Sequence, residues 1–175
     1  MDYQRLAVHR TIVAVDVEGF GDRQRTNRNQ VVVRDGLYLA MQEAFRQSRI
    51  PWTDSNYEDR GDGMFLLVGS EVPKSLFVES LPSALVAALG MHNDSHPDSE
   101  RIRLRMALHA GEVNYDGHGA TAASINLTFR LLESAPVRRR WPTLRVCWRS
   151  LPRHGSSKKW YSTARQIPPL ITLPM

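Results

Sequence analysis

The amino-acid sequence predicts a single α+β domain, on the basis of element order, length and cysteine content. Segments typical of strands and helices follow one another as strand, helix, strand-turn-strand, helix, strand, helix. This order also fits an α/β fold, and either class needs at least one crossover connection. The chain of 175 residues is long enough for one domain with a substantial core. Its single cysteine, Cys147, excludes an internal disulfide framework.

The first strand is predicted at Arg10 to Val17, where a nearly continuous apolar run is typical of a strand covered on both faces. A loop rich in Gly, Arg and Asn follows at residues 19–29. From Gln30 to Ser48, apolar residues recur every four positions, which predicts an amphipathic helix that ends before Ile50-Pro51.

Two further strands are predicted at Asn56 to Asp59 and at Met64 to Gly69, joined by the turn Gly61-Asp62-Gly63. A Gly-Asp-Gly turn between two strand-like runs is a hairpin signal and places Asp62 at an exposed tip. The second helix is predicted at Pro82 to His92, because proline is well suited to a first helical turn.

Alternating apolar and polar residues from Ile102 to His109 predict a strand with one buried face. The strand continues to Tyr115, with Gly111 as the position for a bulge. After a loop of small residues at 117–123, helical spacing returns from Ser124 to Ser134, with Ser124 as the expected cap.

The formal net charge of +5 comes from the end of the chain. Residues 134–175 contain nine Lys or Arg and no acid, so residues 1–133 hold 14 of the 23 basic residues and all 18 acids, a net charge of −4. We therefore assign one domain to residues 1–136. Residues 137–175 are a basic tail, rich in Pro and Trp, that we expect to be irregular or disordered. A change of reading frame near residue 137 would give the same composition and stays an alternative.

The chain is predicted to be cytoplasmic, without a membrane span. No apolar run approaches the roughly 18 to 20 residues that cross a bilayer, and the N-terminus lacks a signal-peptide segment. The run Arg138-Arg139-Arg140 could contact nucleic acid or acidic lipid. It lacks an amphipathic or aromatic framework, so nucleic acid is not expected as a partner.

Four short motifs follow one another between residues 8 and 136. They are Asp16-Val17-Glu18-Gly19-Phe20, Gly61-Asp62-Gly63, the segment Met106 to Val113 with His109 inside it, and Ile125-Asn126-x-x-x-Arg130. Each is weak alone. Together and in this order they resemble the catalytic domain of class III nucleotidyl cyclases, the adenylate and guanylate cyclases, of the actinobacterial type. The resemblance implies a ferredoxin-like sheet of the βααββαβ type with helices on one side, its C-terminal part incomplete.

The resemblance also implies roles for individual residues. Asp16 and Asp62, with Val17 beside them, match the site that binds two Mg²⁺ or Mn²⁺ ions. Asn126 and Arg130 match the catalytic pair that positions the ribose and stabilises charge at the α-phosphate. In the family these two sites come from opposite subunits, which implies a homodimer. His109 is expected to be a packed or hydrogen-bonded histidine rather than a catalytic one.

The base of the substrate is predicted from two further positions. Glu58 stands where guanylate cyclases keep a glutamate that accepts from guanine, which favours GTP over ATP. Gly119 stands at a second base-contacting position, where the family commonly has Asp or Cys. The family also continues with further strands and a phosphate-binding lysine, whereas this chain changes composition after residue 136.

Three functions stay open at this point. The first is metal-dependent cyclisation of a nucleoside triphosphate to a 3',5'-cyclic nucleotide and pyrophosphate, weak or absent in this chain. The second is a non-catalytic module of a regulatory protein that senses a nucleotide or mediates dimerisation. The third is a nucleic-acid binder that acts through the basic tail and shows strongly salt-dependent affinity.

Overall fold

The structure of the protein is a computed structural model that describes residues 6–52 and 56–133, together with the backbone of residues 144–148. The strands are β1 (Val8–Val17), β2 (Asn56–Asp59), β3 (Gly63–Gly69), β4 (Leu104–Asp116), β5 (Gly119–Thr121) and β6 (Leu144–Trp148). The helices are α1 (Asn27–Gln47), α2 (Leu81–Asp94) and α3 (Ala123–Leu132).

The strands form one mixed sheet with β1 near its centre. β1 pairs antiparallel with β3 on one side and with β4 on the other, and the path through the sheet is β2-β3-β1-β4-β5. The order β2-β3-β1-β4, with α1 and α2 as the two crossovers, is that of a ferredoxin-like unit. The predicted α+β class and ferredoxin-like sheet are therefore confirmed.

The four-residue repeat predicted for α1 is confirmed, because Val33, Leu37, Met41 and Phe45 are all buried. The helix begins three residues earlier than predicted. Thr26 is its N-cap: the hydroxyl of Thr26 accepts from the backbone N–H of Asn29, while the Asn29 side chain accepts from the backbone N–H of Thr26. α2 follows a single π-helical turn at residues 76–80 and has Pro82 in its first turn, as expected.

The two crossover helices, α1 and α2, lie on one side of the sheet, as predicted, whereas α3 lies on the other side. α1 and α2 lie together over the face that carries Val13, Val15 and Met106. α3 packs against the opposite face, where Ile12, Ala14 and Ala107 contact its apolar residues. Two separate apolar layers therefore enclose the centre of the sheet.

This second layer explains why one prediction for β4 was wrong. The alternation from Ile102 predicted one buried face, but Ala107 and His109 on the other face are also buried, and residues of α3 pack against Ala107 there. The burial of His109 agrees with its expected role as a packed residue. The bulge expected at Gly111 is also absent from this part of the structure: the β1 register runs without interruption from Val8 opposite Val113 to Val17 opposite Leu104.

The segment between β4 and α3 differs from the prediction in two respects. The loop expected at residues 117–123 contains β5, which pairs with the end of β4. The cap expected at Ser124 is wrong, because the N-cap position is Ala122, which gives no side-chain cap. The Ser124 hydroxyl instead donates to the carbonyl oxygen of Glu112 at 2.8 Å and joins α3 to β4.

Most of the predicted tail lies outside the described residues. Within it, β6 pairs parallel with β4, from Leu104 opposite Leu144 to Leu108 opposite Trp148, and the sequence analysis did not predict this strand. In the described part of the chain, none of the helices has the length and apolar character required to cross a bilayer.

Candidate functional site

Two of the predicted metal-binding residues lie side by side where two strands meet. Asp16 is the penultimate residue of β1 and pairs with Gly63, the first residue of β3. Asp62 directly precedes β3, and its carbonyl oxygen accepts from the N–H of Val17 at 2.8 Å. The Val17 side chain is buried in the core beneath α1 and α2. The structure therefore places Asp16, Val17 and Asp62 next to one another.

The Asp16 carboxylate is held by an arginine that the sequence analysis did not single out. Arg105 lies directly opposite Asp16 in the β1–β4 pairing. It donates through Nε and one terminal nitrogen to the two carboxylate oxygens, at 2.7 and 2.6 Å. Both side chains are mostly buried, 21% exposed for Arg105 and 16% for Asp16. Such a bidentate pair is both stronger and geometrically more specific than a single charged hydrogen bond.

Negative charge is in excess around Asp16. Burial raises the pKa of its carboxyl above the ordinary value, Arg105 opposes this rise, and the charges of Asp62 and Glu133 add to it. Glu133 is the C-cap residue of α3, so the third carboxylate comes from the helix that covers this face of the sheet. Among the groups that act on the Asp16 carboxylate, two further acids thus oppose one guanidinium.

The hairpin that carries Asp62 is fastened to α1 through Asp59. The Asp59 carboxylate forms an ion pair with Arg34 and accepts hydrogen bonds from the Tyr38 hydroxyl at 2.9 Å and from the Gly61 N–H at 2.6 Å. Arg34 also donates to the carbonyl oxygen of Gly61 at 2.6 Å. These contacts lower the pKa of Asp59 to about 2, the bond from Arg34 being the largest cause. The turn is therefore held in position by a helix from the other side of the sheet.

The predicted base-reading residue, Glu58, lies on the same face of the sheet as Asp16, because it pairs with Phe65 across the hairpin. Its carboxylate accepts from Arg60 at 3.0 Å, and both side chains are about half exposed. The Arg60 guanidinium also lies over the ring of Phe129 on α3, 5.0 Å from its centroid. Phe129 and Phe65 meet edge to face at 5.6 Å. Glu58 is thus paired with a neighbour that bridges the hairpin and α3.

The predicted catalytic pair occupies the exposed side of α3. Asn126 and Arg130 are one helical turn apart and both are exposed. Within the described residues, no hydrogen bond or ion pair links either of them to Asp16 or Asp62. Gly119 lies in β5 with a φ of +128° and open space around it. The structure therefore places the two predicted half-sites on the same face of the sheet without joining them in one chain.

The oxygen ligands present suit a hard divalent cation in type but are few. Two carboxylates beside a backbone carbonyl are typical of Mg²⁺ sites, in which waters and substrate phosphates complete the coordination. Nowhere in the described ranges do three His, Cys, Asp or Glu side chains gather as a complete metal site. The local excess of negative charge fits a cation, and both oxygens of Asp16 already accept hydrogen bonds from Arg105.

Arg105, Arg60 and Glu133 are the site residues that sequence reasoning missed. The only sequence signal for Arg105 was its polar position in the alternation of β4, which also fits a solvated strand face. Its importance comes from the register that sets it opposite Asp16, 89 positions away. Arg60 and Glu133 carry no local motif at all.

Comparison with known proteins identifies the fold. No family model matches the chain, and no curated protein matches it. Solved structures do match, among them the guanylyl cyclase Cya2, at 19% identity with 74% of this chain and 71% of that chain covered and a TM-score of 0.55.

Two further matches have the same character. A bacterial light-regulated adenylyl cyclase shares 11% identity over 81% of this chain and 77% of its own, with a TM-score of 0.59. The guanylate cyclase domain of RhGC from Catenaria anguillulae, solved in complex with GTP, shares 14% identity over 73% of each chain, with a TM-score of 0.52. At these identities the matches show a cyclase-like fold.

Proposed function

We propose that this chain is a class III nucleotidyl cyclase-like domain that converts a nucleoside triphosphate, with GTP favoured over ATP, to a 3',5'-cyclic nucleotide and pyrophosphate. The observation that carries the proposal is the placement of Asp16 beside Asp62 at the junction of β1 and β3, in a domain with a cyclase-like fold. Two carboxylates held at adjoining strand ends can share a cation, because rigid strands fix their separation.

The residues then have distinct roles. Asp16 and Asp62, with the Val17 carbonyl nearby, would hold one or two Mg²⁺ or Mn²⁺ ions. Bound there, such ions would lower the pKa of the ribose 3'-hydroxyl and would neutralise part of the negative charge of the triphosphate. The 3'-oxygen attacks the α-phosphorus, the bond to the β-phosphate oxygen breaks, the hydroxyl proton passes to solvent, and pyrophosphate leaves.

Asn126 and Arg130 would orient the ribose and stabilise the charge that grows on the α-phosphate during this step. Their exposure on α3, without a bond to Asp16 or Asp62 in the described part of the chain, supports a homodimer in which each active site takes its two halves from different protomers. Glu58 and Gly119 would line the base, and the acceptor oxygens of Glu58 support a preference for guanine.

We expect turnover to be slow, because the Asp16 carboxylate is already neutralised by Arg105. A cation must compete with a bidentate, mostly buried ion pair for the same two oxygens. The same observation favours a second candidate function, a non-catalytic module that binds a nucleotide or mediates dimerisation in a regulatory protein. This module would bind nucleotide without releasing pyrophosphate, and its dimerisation would not depend on Asp16.

The two candidates are separated by measuring pyrophosphate release and nucleotide binding with all four nucleoside triphosphates in Mn²⁺. The proposed cyclase releases pyrophosphate slowly, fastest with GTP, and forms a cyclic product. Asp16→Asn abolishes release, whereas Asp35→Asn, which removes an exposed carboxylate from α1, does not. Binding without release assigns the non-catalytic function, and release that survives Asp16→Asn rejects the proposed site.

A further inference from the structure

We propose that Arg105 is a positioning residue of this site that acts as an internal cation. Its guanidinium holds the Asp16 carboxylate in place and is exchanged for a divalent cation when one binds. The inference rests on the proposed function only in taking Asp16 as a ligand of that cation. It predicts that Arg105 sets the affinity of the site for the metal.

The geometry favours an exchange over simultaneous binding. Both oxygens of Asp16 accept from Arg105, at 2.6 and 2.7 Å. A small divalent cation needs one of these oxygens at about 2.0 to 2.2 Å, and its charge repels the guanidinium at that distance. Coordination of a cation by Asp16 therefore weakens the pairing with Arg105, which favours the exchange.

The surrounding charges indicate what happens when Arg105 is removed. With Arg105 present, its single positive charge pairs with the Asp16 carboxylate, on which the negative charges of Asp62 and Glu133 also act. Without Arg105, the negative charges of these three acids are no longer neutralised by a nearby cation. Their mutual repulsion at a partly buried position destabilises the charged form of Asp16 and strengthens the attraction of the site for a divalent ion. Loss of Arg105 should weaken the apo fold and tighten metal binding together.

A matched control lies two residues away on the same strand. Arg103 points to the same face as Arg105 and pairs with Glu18 through a single contact of 3.1 Å. Arg103→Gln removes an equal charge from the same edge but leaves the Asp16–Arg105 pair intact. A general effect of net charge would appear in both variants, whereas the exchange appears only in Arg105→Gln.

The test is a titration of the full chain with Mn²⁺ in the absence of nucleotide. Electron paramagnetic resonance measures the concentration of free Mn²⁺ at each step. We expect Arg105→Gln to bind Mn²⁺ at least fivefold more tightly than the wild type. Arg105→Lys, which keeps the charge but loses the bidentate fork, should gain about two- to threefold. Arg103→Gln should stay within twofold of the wild type, and adding Asp16→Asn to Arg105→Gln should abolish the gain.

Thermal unfolding gives a second readout. Arg105→Gln should unfold at a lower temperature than the wild type in a chelator, and saturating Mn²⁺ should raise its Tm by more than it raises that of the wild type. A merely structural ion pair predicts the first effect without the second.

Equal Mn²⁺ affinity in Arg105→Gln and wild type, or an equal gain in Arg103→Gln, overturns the inference. If Arg105→Gln does not fold, an unchanged affinity in Arg105→Lys overturns it. The outcome is independent of turnover. If Arg105→Gln binds Mn²⁺ more tightly but the wild type releases no pyrophosphate, the exchange is retained and the cyclase reaction is rejected. If the wild type releases pyrophosphate but Arg105→Gln binds Mn²⁺ with unchanged affinity, the cyclase reaction is retained and the exchange is rejected.

Discussion

Gly63 is the residue on which the placement of Asp62 beside Asp16 depends most directly. A Cβ atom at position 63 would lie 2.1 Å from the carbonyl oxygen of Val15 and 2.8 Å from the Cα of Asp16. Both are backbone atoms of β1, the strand paired with β3, so no side chain can turn aside to make room. Replacing Gly63 by alanine therefore forces the two strands apart at the site.

The cost of Gly63→Ala can be worked out from these contacts. Overpacking that shifts backbone costs typically about 1–3 kcal/mol. The bond from the Val17 N–H to the Asp62 carbonyl, 2.8 Å long and next to the clash, is worth about 0.5–1.5 kcal/mol more if it breaks. Alanine also restricts the unfolded chain more than glycine does, which offsets about 0.4–1 kcal/mol of this loss of stability. We expect a net loss of about 1–4 kcal/mol in the free energy of unfolding.

This decrease in the free energy of unfolding can be measured by urea denaturation, with circular dichroism as the signal. With an m-value of about 2 kcal/mol per molar urea, the midpoint should fall by about 0.5–2 M. Gly117→Ala is the matched control, because nothing lies within 4 Å of its added Cβ and its φ is not positive, and it should leave the midpoint unchanged. Gly61→Ala tests backbone strain alone, since its φ is +86° and its surroundings are open, and about 1–2 kcal/mol is expected. If the Gly63→Ala protein is as stable as the Gly117→Ala protein, the close contact between position 63 and β1 does not limit the site.

Two further predictions concern the hairpin. Burial first, and then the hydrogen bond to Asp59, raise the pKa of Tyr38 from 10.0 to about 12. Absorbance at 295 nm, compared with Tyr38→Phe, should show this tyrosine titrating near 12, and Asp59→Asn should move it toward 10. Because the folded pKa is the higher one, the stability that Tyr38 contributes is complete below pH 10 and lost as pH rises from 10 to 12. An unshifted Tyr38 would argue against the contact. The second prediction is that Arg60→Ala frees the Glu58 carboxylate from its ion pair and so raises the binding preference for GTP over ATP. The increase should be at most about fivefold, which corresponds to the largest free energy usual for an exposed ion pair. Competition between fluorescent GTP and ATP analogues measures the ratio, which Glu58→Gln should reduce, and a ratio unchanged by Arg60→Ala would contradict the assignment.

The elements of this fold could be predicted because their signals are local. The four-residue repeat of α1, the alternation of β4 and the Gly-Asp-Gly turn each express side-chain periodicity or backbone preference within about 20 residues. Boundaries were less accurate where a side chain could act in two ways. Ser124 has the chemistry of a cap, yet it bonds to Glu112 because β4 lies beside it.

The candidate site was predictable only in part for the same reason. Asp16 and Asp62 belong to short motifs and were identified from them. The burial of Ala107 and His109 could not be predicted from such motifs. The side chain of Ala107 is buried because α3 folds back over this face of the sheet. A short strand such as β5, three residues long, carries too little periodicity to be recognised in a loop rich in small residues.

The sequence alone was enough to predict the order of the elements from β1 to α3 except for β5, the exposed position of Asp62 at a hairpin and the shared helix face of Asn126 and Arg130. The pairing of Arg105 with Asp16, in contrast, follows from the way β1 and β4 lie against each other in the folded domain. The tertiary structure also decided that Gly63 is needed for contact with β1 rather than for its own turn. Periodicity is a property of neighbouring residues, whereas register joins residues 89 positions apart and follows from how all the strands and both apolar layers pack at once.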